Sequence, residues 1–375
     1  MSTGMSARIR MGLIGGGPGA FIGPVHRLAA EMDRRIELVA GAFSSDPARS
    51  LAAGEAYGID PTRAYPSVEA MIAAEAQRPD GIQMVVIATP NHLHLPAAKA
   101  ALDVGLAVMS DKPATATLAQ AQELAALLAD KGGLYGLTFT YAGYPMIREA
   151  KARIAAGEIG RVRKVVAEYY QGWLAQPIEQ DGNKQAGWRT DPKQAGQGGC
   201  IGDIGVHAFN LAEFVVGDAV EQVNADLGIV VPGRALDDDM TVLLRFANGA
   251  RGMVGASQIA TGERNNLTLR IYGETGAIRW SHEAADRLII TDADGSDRTL
   301  WAGSGHVGDW AARAVRVPAG HPEGYLEAFA NLYRDFADRM AGEDAPLLPG
   351  IAEGLRSMRF VSACVEGNGK GWVDL

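Results

Sequence analysis

The sequence predicts an α/β protein of two domains, the first with a doubly wound parallel sheet and the second with a mostly antiparallel sheet. Three observations support this fold class. From residue 8 to residue 140, short β-rich runs alternate with Ala-rich amphipathic runs. After a helical stretch around residue 150, longer β-rich runs follow one another. A chain of 375 residues is also long enough to bury two separate cores.

The strand and helix patterns place the domain boundary at residue 140. Residues 1–140 contain β-rich runs such as RIRMGLIG, IELVAGAFS, GIQMVVIATP and LAVMSDKP, with amphipathic runs between them. Repeated βα units of this kind form parallel sheets. Residues 141–375 contain the longer strands, and the Asn248-Gly249 pair between two of them indicates an antiparallel hairpin. Two amphipathic stretches end this second domain.

Composition argues against several classes of function. The 35 Lys+Arg and 44 Asp+Glu residues give a net charge of −9 without a long run of either sign, which argues against nucleic-acid or anionic-membrane partners. Cys200 and Cys364 are too few and too far apart for a disulfide framework or a Cys-based zinc site. The N-terminal residues lack the apolar core of a signal peptide, and no run is long enough for a membrane span. We therefore expect a cytoplasmic protein that acts on a small molecule.

The glycine-rich loop after the first predicted strand, GLIGGGPGAFIGPVHR, indicates a dinucleotide site. Gly15 and Gly17 match the start of a G-x-G-x-x-G fingerprint, in which missing Cβ atoms let the backbone approach a pyrophosphate at the next helix N-terminus. A tight turn with close helix packing is the alternative explanation. The predicted cofactor contacts of this loop are Gly15, Gly17, Pro18, Gly19, Ala20, Phe21 and Ile22.

The end of the second strand bears on the choice between NAD and NADP. An acidic residue there usually accepts hydrogen bonds from the adenine ribose of NAD. This sequence has Phe43, Ser44 and Ser45 at those positions and Asp46 only afterwards, where N-capping of the next helix explains Asp46 equally well. Ser44, Ser45 and Arg49 are predicted cofactor contacts that suit a 2′-phosphate. The sequence thus leaves NAD and NADP both open.

Two further loops follow strands at the carboxyl edge of the parallel sheet, where open α/β folds bind ligands. A cis peptide bond before Pro113 is a candidate device for directing the neighbouring lysine. His92 and His94 have no Cys or acidic partner nearby in sequence, so we predict no metal site. The predicted cofactor contacts of these loops are Thr89, Pro90, Asn91, His94, Asp111 and Lys112.

The segment GGCIGDIGVHAFNLAEF, residues 199–215, places Asp203 and His207 one helical turn apart. The glycines around them leave the neighbouring surface thin enough for a substrate or nicotinamide to approach. The structural alternatives are a helix cap for Asp203 and a hydrogen-bonded core histidine for His207.

Five short motifs occur in one order along nearly the whole chain, and as a set they are far more specific than a single glycine loop. The sequence resembles the Gfo/Idh/MocA family, the group of glucose-fructose oxidoreductase and inositol dehydrogenase. Within that family it is similar to the branch that includes levoglucosan dehydrogenases. The motifs are the glycine loop with Gly23-Pro24-Val25-His26, T-P-N-x-x-H at residues 89–94, D-K-P at 111–113, G-x-I-G at 157–160 and GG-x-x-x-D-x-G-x-H at 198–207.

The resemblance implies an N-terminal Rossmann domain, a C-terminal α/β domain with a large open sheet, bound NAD or NADP, and a homodimer or homotetramer built on that sheet. It also implies catalytic roles for Lys112, Asp203 and His207. In oxidation of a sugar or polyol hydroxyl, His207 suits the general base, because an imidazole titrates near neutral pH. Lys112 suits stabilisation of the developing alkoxide, and Asp203 suits binding of a neighbouring hydroxyl.

The sequence departs from the family pattern in three places. The glycine loop is about three residues longer, so we expect Gly23 rather than Gly19 to act as its third glycine. Asp111 replaces the commoner Glu before the lysine. The acid at the end of the second strand is absent, which is why the cofactor choice stays open.

Aromatic and polar side chains of the second domain are candidate substrate contacts, because aromatic faces suit the C–H patches of a sugar and polar tips suit its hydroxyls. Core or interface packing is the alternative for each of them. Two other functions stay open, a glycosidase that keeps NAD bound for transient oxidation and a non-catalytic redox or sugar sensor. The predicted substrate contacts are Lys112, Tyr141, Trp173, Trp188, Arg189, Asp203, His207 and His321.

Overall fold

The computed structural model describes residues 8–375. The predictions that concern residues 1–7, namely the start of the first domain and the expected absence of a signal peptide, lie outside the described residues. The chain divides into two compact units. Besides its N-terminal part, the first unit contains a segment from near the end of the chain. The first unit comprises residues up to Thr115, Ala119–Thr138 and Phe329–Gly354, and the second comprises Ala116–Leu118, Phe139–Ala328 and Leu355–Leu375.

The first unit is built on a five-stranded parallel sheet of order β2-β1-β3-β4-β5, which confirms the predicted doubly wound architecture. The order reverses between β1 and β3, so the loops after these two strands lie where such sheets bind ligands. The strands are β1 (Ile9–Gly15), β2 (Ile36–Ala42), β3 (Met84–Ala88), β4 (Ala107–Ser110) and β5 (Tyr135–Leu137). The helices are α1 (Ile22–Met32), α2 (Pro47–Tyr57), α3 (Val68–Glu75), α4 (His94–Asp103) and α5 (Leu118–Lys131).

Burial and capping explain the local sequence of this unit. Every residue of β3 is buried, as expected for a strand that is covered on both faces of a parallel sheet. Helix α2 is preceded by Asp46, whose carboxylate accepts the N–H groups of Ala48 and Arg49, and is followed by Gly58, which has a φ of 70°. Asp46 is therefore the N-cap of α2.

The second unit is built on a nine-stranded sheet of order β13-β12-β11-β10-β6-β9-β8-β7-β14. Strands β6 and β9 pair in parallel, and the other neighbouring strands in this order pair antiparallel. This arrangement confirms the predicted large, mostly antiparallel sheet. The strands are β6 (Lys164–Tyr170), β7 (Val220–Gly228), β8 (Asp239–Phe246), β9 (Arg251–Ser257), β10 (Asn266–Tyr272), β11 (Gly276–Ser281), β12 (Arg287–Asp292), β13 (Asp297–Trp301) and β14 (Val373–Asp374). The later helices of the chain are α6 (Pro145–Ala155), α7 (Lys184–Arg189), α8 (Pro192–Ala195), α9 (Val206–Val216), α10 (Asp309–Arg313), α11 (Tyr325–Met340) and α12 (Ile351–Gly367).

The predicted hairpin joins β8 to β9. Gly249 has φ of 86°, and its N–H donates to the carbonyl of Phe246 at 3.0 Å. Ala247 and Asn248 therefore form the centre of the turn, and Gly249 follows them in the left-handed conformation that glycine adopts readily.

Helices cover one face of the nine-stranded sheet, because α6 and α9 pack against its strands. Side chains of β8 alternate accordingly: Met240, Val242 and Leu244 are buried, whereas Thr241 and Leu243 are exposed. The opposite face is accessible and carries apolar side chains such as Leu243, which is 43% exposed. Among residues 8–375, no helix is both long enough and apolar enough to cross a membrane.

Gly16 in the loop after β1 and Gly23 in the first turn of α1 pack backbone against backbone. A Cβ atom added to Gly23 would lie 2.3 Å from Cα of Gly16. We expect Gly23→Ala to lower the free energy of unfolding by about 1–3 kcal/mol, because α1 has to shift away from the loop. Gly187→Ala is the matched control, since a Cβ there meets nothing within 4 Å. Urea denaturation measures both variants, and equal stability of the two would contradict this prediction.

Candidate active site

In the first unit, the glycine loop is shaped by close contacts with neighbouring backbone. A Cβ on Gly15 would lie 2.6 Å from the carbonyl oxygen of Ala88, and a Cβ on Gly17 would lie 2.6 Å from that of Phe43. A Cβ on Gly19 would meet nothing within 4 Å, although the φ of Gly19 is 78°. The close approach to the start of α1 is therefore made through Gly23.

The residues of this loop fit the pyrophosphate of a dinucleotide. Phe21 precedes α1, and its side chain makes no capping hydrogen bond. The first turn of α1, which lies within the described residues, contains no acidic residue. An uncapped helix N-terminus presents N–H groups to an anion. Pro18, Gly19 and Phe21 are exposed, Phe21 at 63%, whereas Ala20 is half-buried.

The end of β2 carries no acid in the position that usually binds the adenine ribose. Phe43 fills that position and is buried. Ser44 Oγ accepts the N–H of Asp46 at 3.2 Å, while the Asp46 carboxylate caps α2. Arg49 is exposed and directs Nη2 toward the carbonyl oxygen of Pro18, 3.5 Å away, so its cation lies against the glycine loop.

His94 connects the loops that follow β3 and β4. Its Nδ1 lies 2.7 Å from the carbonyl oxygen of Pro113, and its Nε2 lies 2.9 Å from that of Thr89. Burial lowers the pKa of His94, and a neutral imidazole has a single N–H to donate to these two acceptors. The peptide bond between Lys112 and Pro113 is cis. Asn91, in the first of the two loops, is buried.

In the second unit, Asp203 and His207 lie on a segment that begins with a π-helical turn. This turn spans Ile201–Gly205 and continues into α9, so Asp203 lies on the π-turn and His207 on the α-helix. The Asp237 carboxylate accepts the N–H groups of Gly199 and Ile201, each at 2.7 Å. Burial raises the pKa of Asp237, and the two amide donors oppose that shift. Single π-turns occur often at functional sites.

Two donors hold the Asp203 carboxylate. Arg189 Nε donates to Oδ2 at 3.0 Å, and Gln258 Nε2 donates to the same oxygen at 2.9 Å. The Arg189 guanidinium lies over the ring of Trp188 at 4.1 Å and over that of Trp173 at 5.8 Å. Asp203 is therefore part of an ion pair beside two indole rings.

His207 is surrounded by aromatic rings and is 9% exposed. The ring of Tyr141 is perpendicular to its imidazole, with centroids 5.1 Å apart. The hydroxyls of Tyr141 and Tyr169 are 2.6 Å apart, and Tyr169 donates to Asn265 Oδ1 at 3.1 Å. Burial raises the pKa of Tyr169 to about 12 and that of Tyr141 well above its usual value, so both phenols are neutral donors near neutral pH.

Polar contacts bring most of the predicted substrate residues of this unit together. Trp173 Nε1 donates to Gln171 Oε1 at 2.9 Å, and Gln171 Nε2 donates to Tyr169 Oη at 3.3 Å. Trp173 therefore connects the Arg189 cluster to the tyrosines around His207. His321 differs, because it lies in an exposed turn where Nδ1 contacts the carbonyl oxygen of Pro318 at 3.0 Å.

Sequence analysis missed Gln171 and Gln258, which directly follow the paired parallel strands β6 and β9. A polar residue at the carboxyl end of a buried strand was the available signal. This signal was not recognised because β6 and β9 are far apart in sequence, so the sequence does not show that they pair in parallel. Asp237, Tyr169 and Asn265 were also missed, since their contacts depend on the folded sheet.

The cysteines and histidines offer no metal site in the part of the chain that the structure describes. Across residues 8–375, no group of three or more His, Cys, Asp and Glu side chains is arranged to hold a metal ion. Cys200 and Cys364 are both free thiols, and both are buried.

Comparison with known proteins identifies both parts of the chain. Residues 9–139 match the family model described as the Gfo/Idh/MocA oxidoreductase family with an NAD-binding Rossmann fold. Residues 147–279 match the model of the Gfo/Idh/MocA C-terminal domain.

Whole-length relatives and structures agree with these matches. A levoglucosan dehydrogenase of Pseudarthrobacter phenanthrenivorans is 30% identical over 407 residues, covering 98% of this chain and 98% of that protein. A crystal structure of an inositol dehydrogenase homologue from Azotobacter vinelandii with NAD+ has a TM-score of 0.94 and 35% identity, covering 99% of this chain and 98% of that one. Its complex with NADH and myo-inositol has a TM-score of 0.90 and 34% identity over the same shares. The chain therefore belongs to the Gfo/Idh/MocA family of oxidoreductases with an NAD-binding Rossmann fold.

Proposed function

We propose that this oxidoreductase transfers hydride between NAD and a secondary alcohol of an uncharged cyclic polyol or sugar, of the inositol or anhydrosugar type. The observation that carries the proposal is the Asp203 carboxylate, held by Arg189 and Gln258 beside two indole rings. Relatives that act on levoglucosan or bind myo-inositol support the same substrate class.

The charge of this cluster favours an uncharged substrate. Asp203 and Arg189 form a salt bridge at 3.0 Å, so their charges offset each other. The faces of Trp173 and Trp188 suit the C–H side of a sugar ring, and the Asp203 carboxylate suits its hydroxyls. A sugar phosphate or sugar acid would lose hydration at this cluster without a net positive charge to compensate for it.

The proposed chemistry divides among three residues. Bound NAD supplies the hydride acceptor. His207 accepts the hydroxyl proton, and the Lys112 ammonium stabilises negative charge on the reacting oxygen. Asp203 orients the substrate through a neighbouring hydroxyl. Tyr141 and Tyr169 keep their protons, so they are donors to the polar network around His207 and leave the base role to the imidazole.

The first prediction concerns substrate turnover. With NAD, the purified protein should reduce the cofactor in the presence of myo-inositol, levoglucosan or another neutral sugar, and should not do so with glucose 6-phosphate or glucuronate. We expect His207→Ala and Lys112→Ala to lower kcat by about 10²- to 10⁴-fold, because a base or an electrostatic stabiliser is lost. The absorbance of reduced nicotinamide measures both effects.

Two surface variants serve as controls for this experiment. His306 and Lys99 are exposed, so His306→Ala and Lys99→Ala should retain wild-type kcat. Full activity in His207→Ala would contradict the assigned base. Hydrolysis of a glycoside without net cofactor reduction would identify the bound-NAD glycosidase instead, and sugar binding without any turnover would identify the sensor.

The second prediction concerns cofactor choice. Because Phe43 fills the position after β2 that usually carries an acid, and Arg49 lies against the glycine loop, we expect the chain to bind NADP as well as NAD. Ser44→Asp should weaken NADP binding by about tenfold and change NAD binding much less, since the new carboxylate repels a 2′-phosphate. Arg49→Ala should weaken NADP binding more than NAD binding, because it removes a cation beside the glycine loop, and the exposed Arg78→Ala is its control. Calorimetric titration of each nucleotide measures these affinities. Equal loss of NAD and NADP affinity in Ser44→Asp would contradict the assigned subsite.

The third prediction concerns assembly. We propose that a second copy of the chain covers the accessible face of the nine-stranded sheet, on which Leu243 and Tyr272 are 43% and 39% exposed. Leu243→Glu should shift a dimer or tetramer toward monomer in sedimentation velocity, because a charge is then buried in the interface. Lys99→Glu on α4 is the control and should leave assembly unchanged. Thr241→Glu would not serve, because Thr241 lies on the same face as Leu243. A monomeric wild-type protein would contradict the proposal.

The cytoplasmic location expected from the sequence stays a prediction.

A further inference from the structure

A buried glutamine in the second unit has no role in the proposed chemistry. Gln171 directly follows β6 and is 8% exposed. Its backbone N–H donates to the carbonyl of Ser257 at 2.8 Å, and its own carbonyl accepts the N–H of Ala260 at 2.9 Å. Both partners lie at or just beyond the carboxyl end of β9, the parallel neighbour of β6. The main chain therefore holds the base of the Gln171 side chain in place.

The hydrogen bonds of the Gln171 amide allow one orientation. Trp173 Nε1 lies 2.9 Å from Oε1, and an indole N–H can donate but cannot accept. At the other end, Nε2 lies 2.6 Å from Asn265 Oδ1 and 3.3 Å from Tyr169 Oη, so each of its two hydrogens has an acceptor. A rotation of the amide by half a turn would place N–H against N–H at Trp173 and oxygen against oxygen at Asn265. The amide oxygen therefore stays directed at the indole.

The segment that carries Trp173 shares backbone contacts with the segment that carries Gln258. The N–H of Leu174 donates to the carbonyl of Gln258 at 3.0 Å, while the Gln258 side chain donates to Asp203 Oδ2 at 2.9 Å. Trp173 follows β6 and Gln258 follows β9. The ends of the same two strands therefore position the Trp173 indole and the Asp203 carboxylate.

Trp188, the second indole beside Arg189, is held less tightly. Its Nε1 lies 3.3 Å from Gln185 Oε1, and that oxygen also accepts Arg189 Nη1 at 2.7 Å. Gln185 lies on α7, a helix of 6 residues, whereas Gln171 adjoins a strand of the nine-stranded sheet. Of the two rings, Trp173 is therefore the one with the more firmly fixed angle.

We propose that Gln171 is a positioning residue for substrate binding: it fixes the Trp173 indole at one angle, at which the ring is the platform for the C–H face of the substrate. The inference rests on the proposed function, in which the substrate lies beside the pair of Asp203 and Arg189. The Arg189 guanidinium lies 5.8 Å from the centroid of the Trp173 ring, so the angle of the indole decides the space left beside that pair. A ring that is already held in its binding orientation loses less conformational freedom when the substrate binds.

Gln171→Met tests this inference, because methionine has a similar length and lacks both the amide oxygen and the N–H donors. We expect KM for myo-inositol or levoglucosan to rise by about tenfold, since the freed indole has to be ordered when the substrate binds. We expect kcat to stay within about threefold, because binding lost away from the reacting atoms is lost equally in the ground state and the transition state. The affinity for NAD, which binds to the first unit, should not change.

A double-mutant cycle shows whether Gln171 acts through Trp173. Trp173→Phe keeps an aromatic ring and removes the N–H donor, so Gln171→Met in this background should change KM for the substrate by less than about twofold. The indole N–H gives a second readout: in protein labelled with nitrogen-15 tryptophan, the Trp173 signal should move to higher field in Gln171→Met. The chain has 6 tryptophans, and the signal that is lost in Trp173→Phe is the one from Trp173.

Further variants separate positioning from packing. Gln222→Met removes another glutamine amide of this unit, which donates to Asp374 Oδ1 at 2.9 Å and accepts from Arg245 at 2.8 Å, and should change neither KM nor the Trp173 signal. Gln171→Glu keeps an oxygen for the indole, whereas the side chain of Gln171→Asn is too short to reach it. We expect the Glu variant to have a lower KM and a Trp173 signal nearer to wild type than the Asn variant. If Gln171→Met fails to fold, this pair supplies the same test.

The indole signal decides the outcome independently of turnover. If the wild-type protein oxidises neither compound, the proposed function fails, and a shifted Trp173 signal with weaker calorimetric binding of either compound in Gln171→Met still supports the positioning role. An unchanged Trp173 signal in the folded Gln171→Met variant would overturn it. Equal effects of Gln171→Met on KM in the wild-type and Trp173→Phe backgrounds would overturn it as well.

Discussion

The buried carboxylate of Asp237 holds the start of the segment that carries Asp203 and His207. It accepts the N–H groups of Gly199 and Ile201, each at 2.7 Å, which the first turn of a helix otherwise leaves without acceptors. A Cβ on Gly199 would lie 2.2 Å from the carbonyl oxygen of Asp237, so only glycine allows this approach. Burial alone disfavours the charged carboxylate, and the two amide donors counter that penalty. The direction in which the candidate base projects thus depends on one acid in a distant part of the sequence.

Both units place polar groups at the carboxyl ends of parallel strands. In the first unit, the glycine loop follows β1, Thr89 follows β3, and Lys112 lies in the loop after β4. In the second, Gln171 and Gln258 follow β6 and β9, which form a parallel pair inside a mostly antiparallel sheet. Parallel strands end at the same edge, so side chains that follow them converge. Gln258 reaches Asp203 in this way, and Gln171 reaches Trp173.

The sequence was sufficient to predict those strands, helices and turns that are determined by residues close together in the chain. The βα alternation predicted the parallel sheet, and Asn248-Gly249 predicted the hairpin, because hydrophobic period and turn chemistry act over a few residues. The π-turn at Ile201–Gly205 was not predictable, since its capping acid lies 36 residues from Ile201. Asn265 is 94 residues from Gln171, and nothing in the sequence pairs them. The predicted roles of Lys112, Asp203 and His207 remain predictions that only chemistry can test.

Transfer of deuterium from substrate to cofactor tests the central claim most directly. Perdeuterated myo-inositol and perdeuterated levoglucosan would each be incubated with the protein and NAD, and the reduced cofactor would be analysed by mass spectrometry. The account predicts reduced nicotinamide that carries one deuterium, formed from at least one of the two compounds and lost in His207→Ala. Unlabelled cofactor, or no reduced cofactor with either compound, would contradict hydride transfer from a polyol or anhydrosugar carbon.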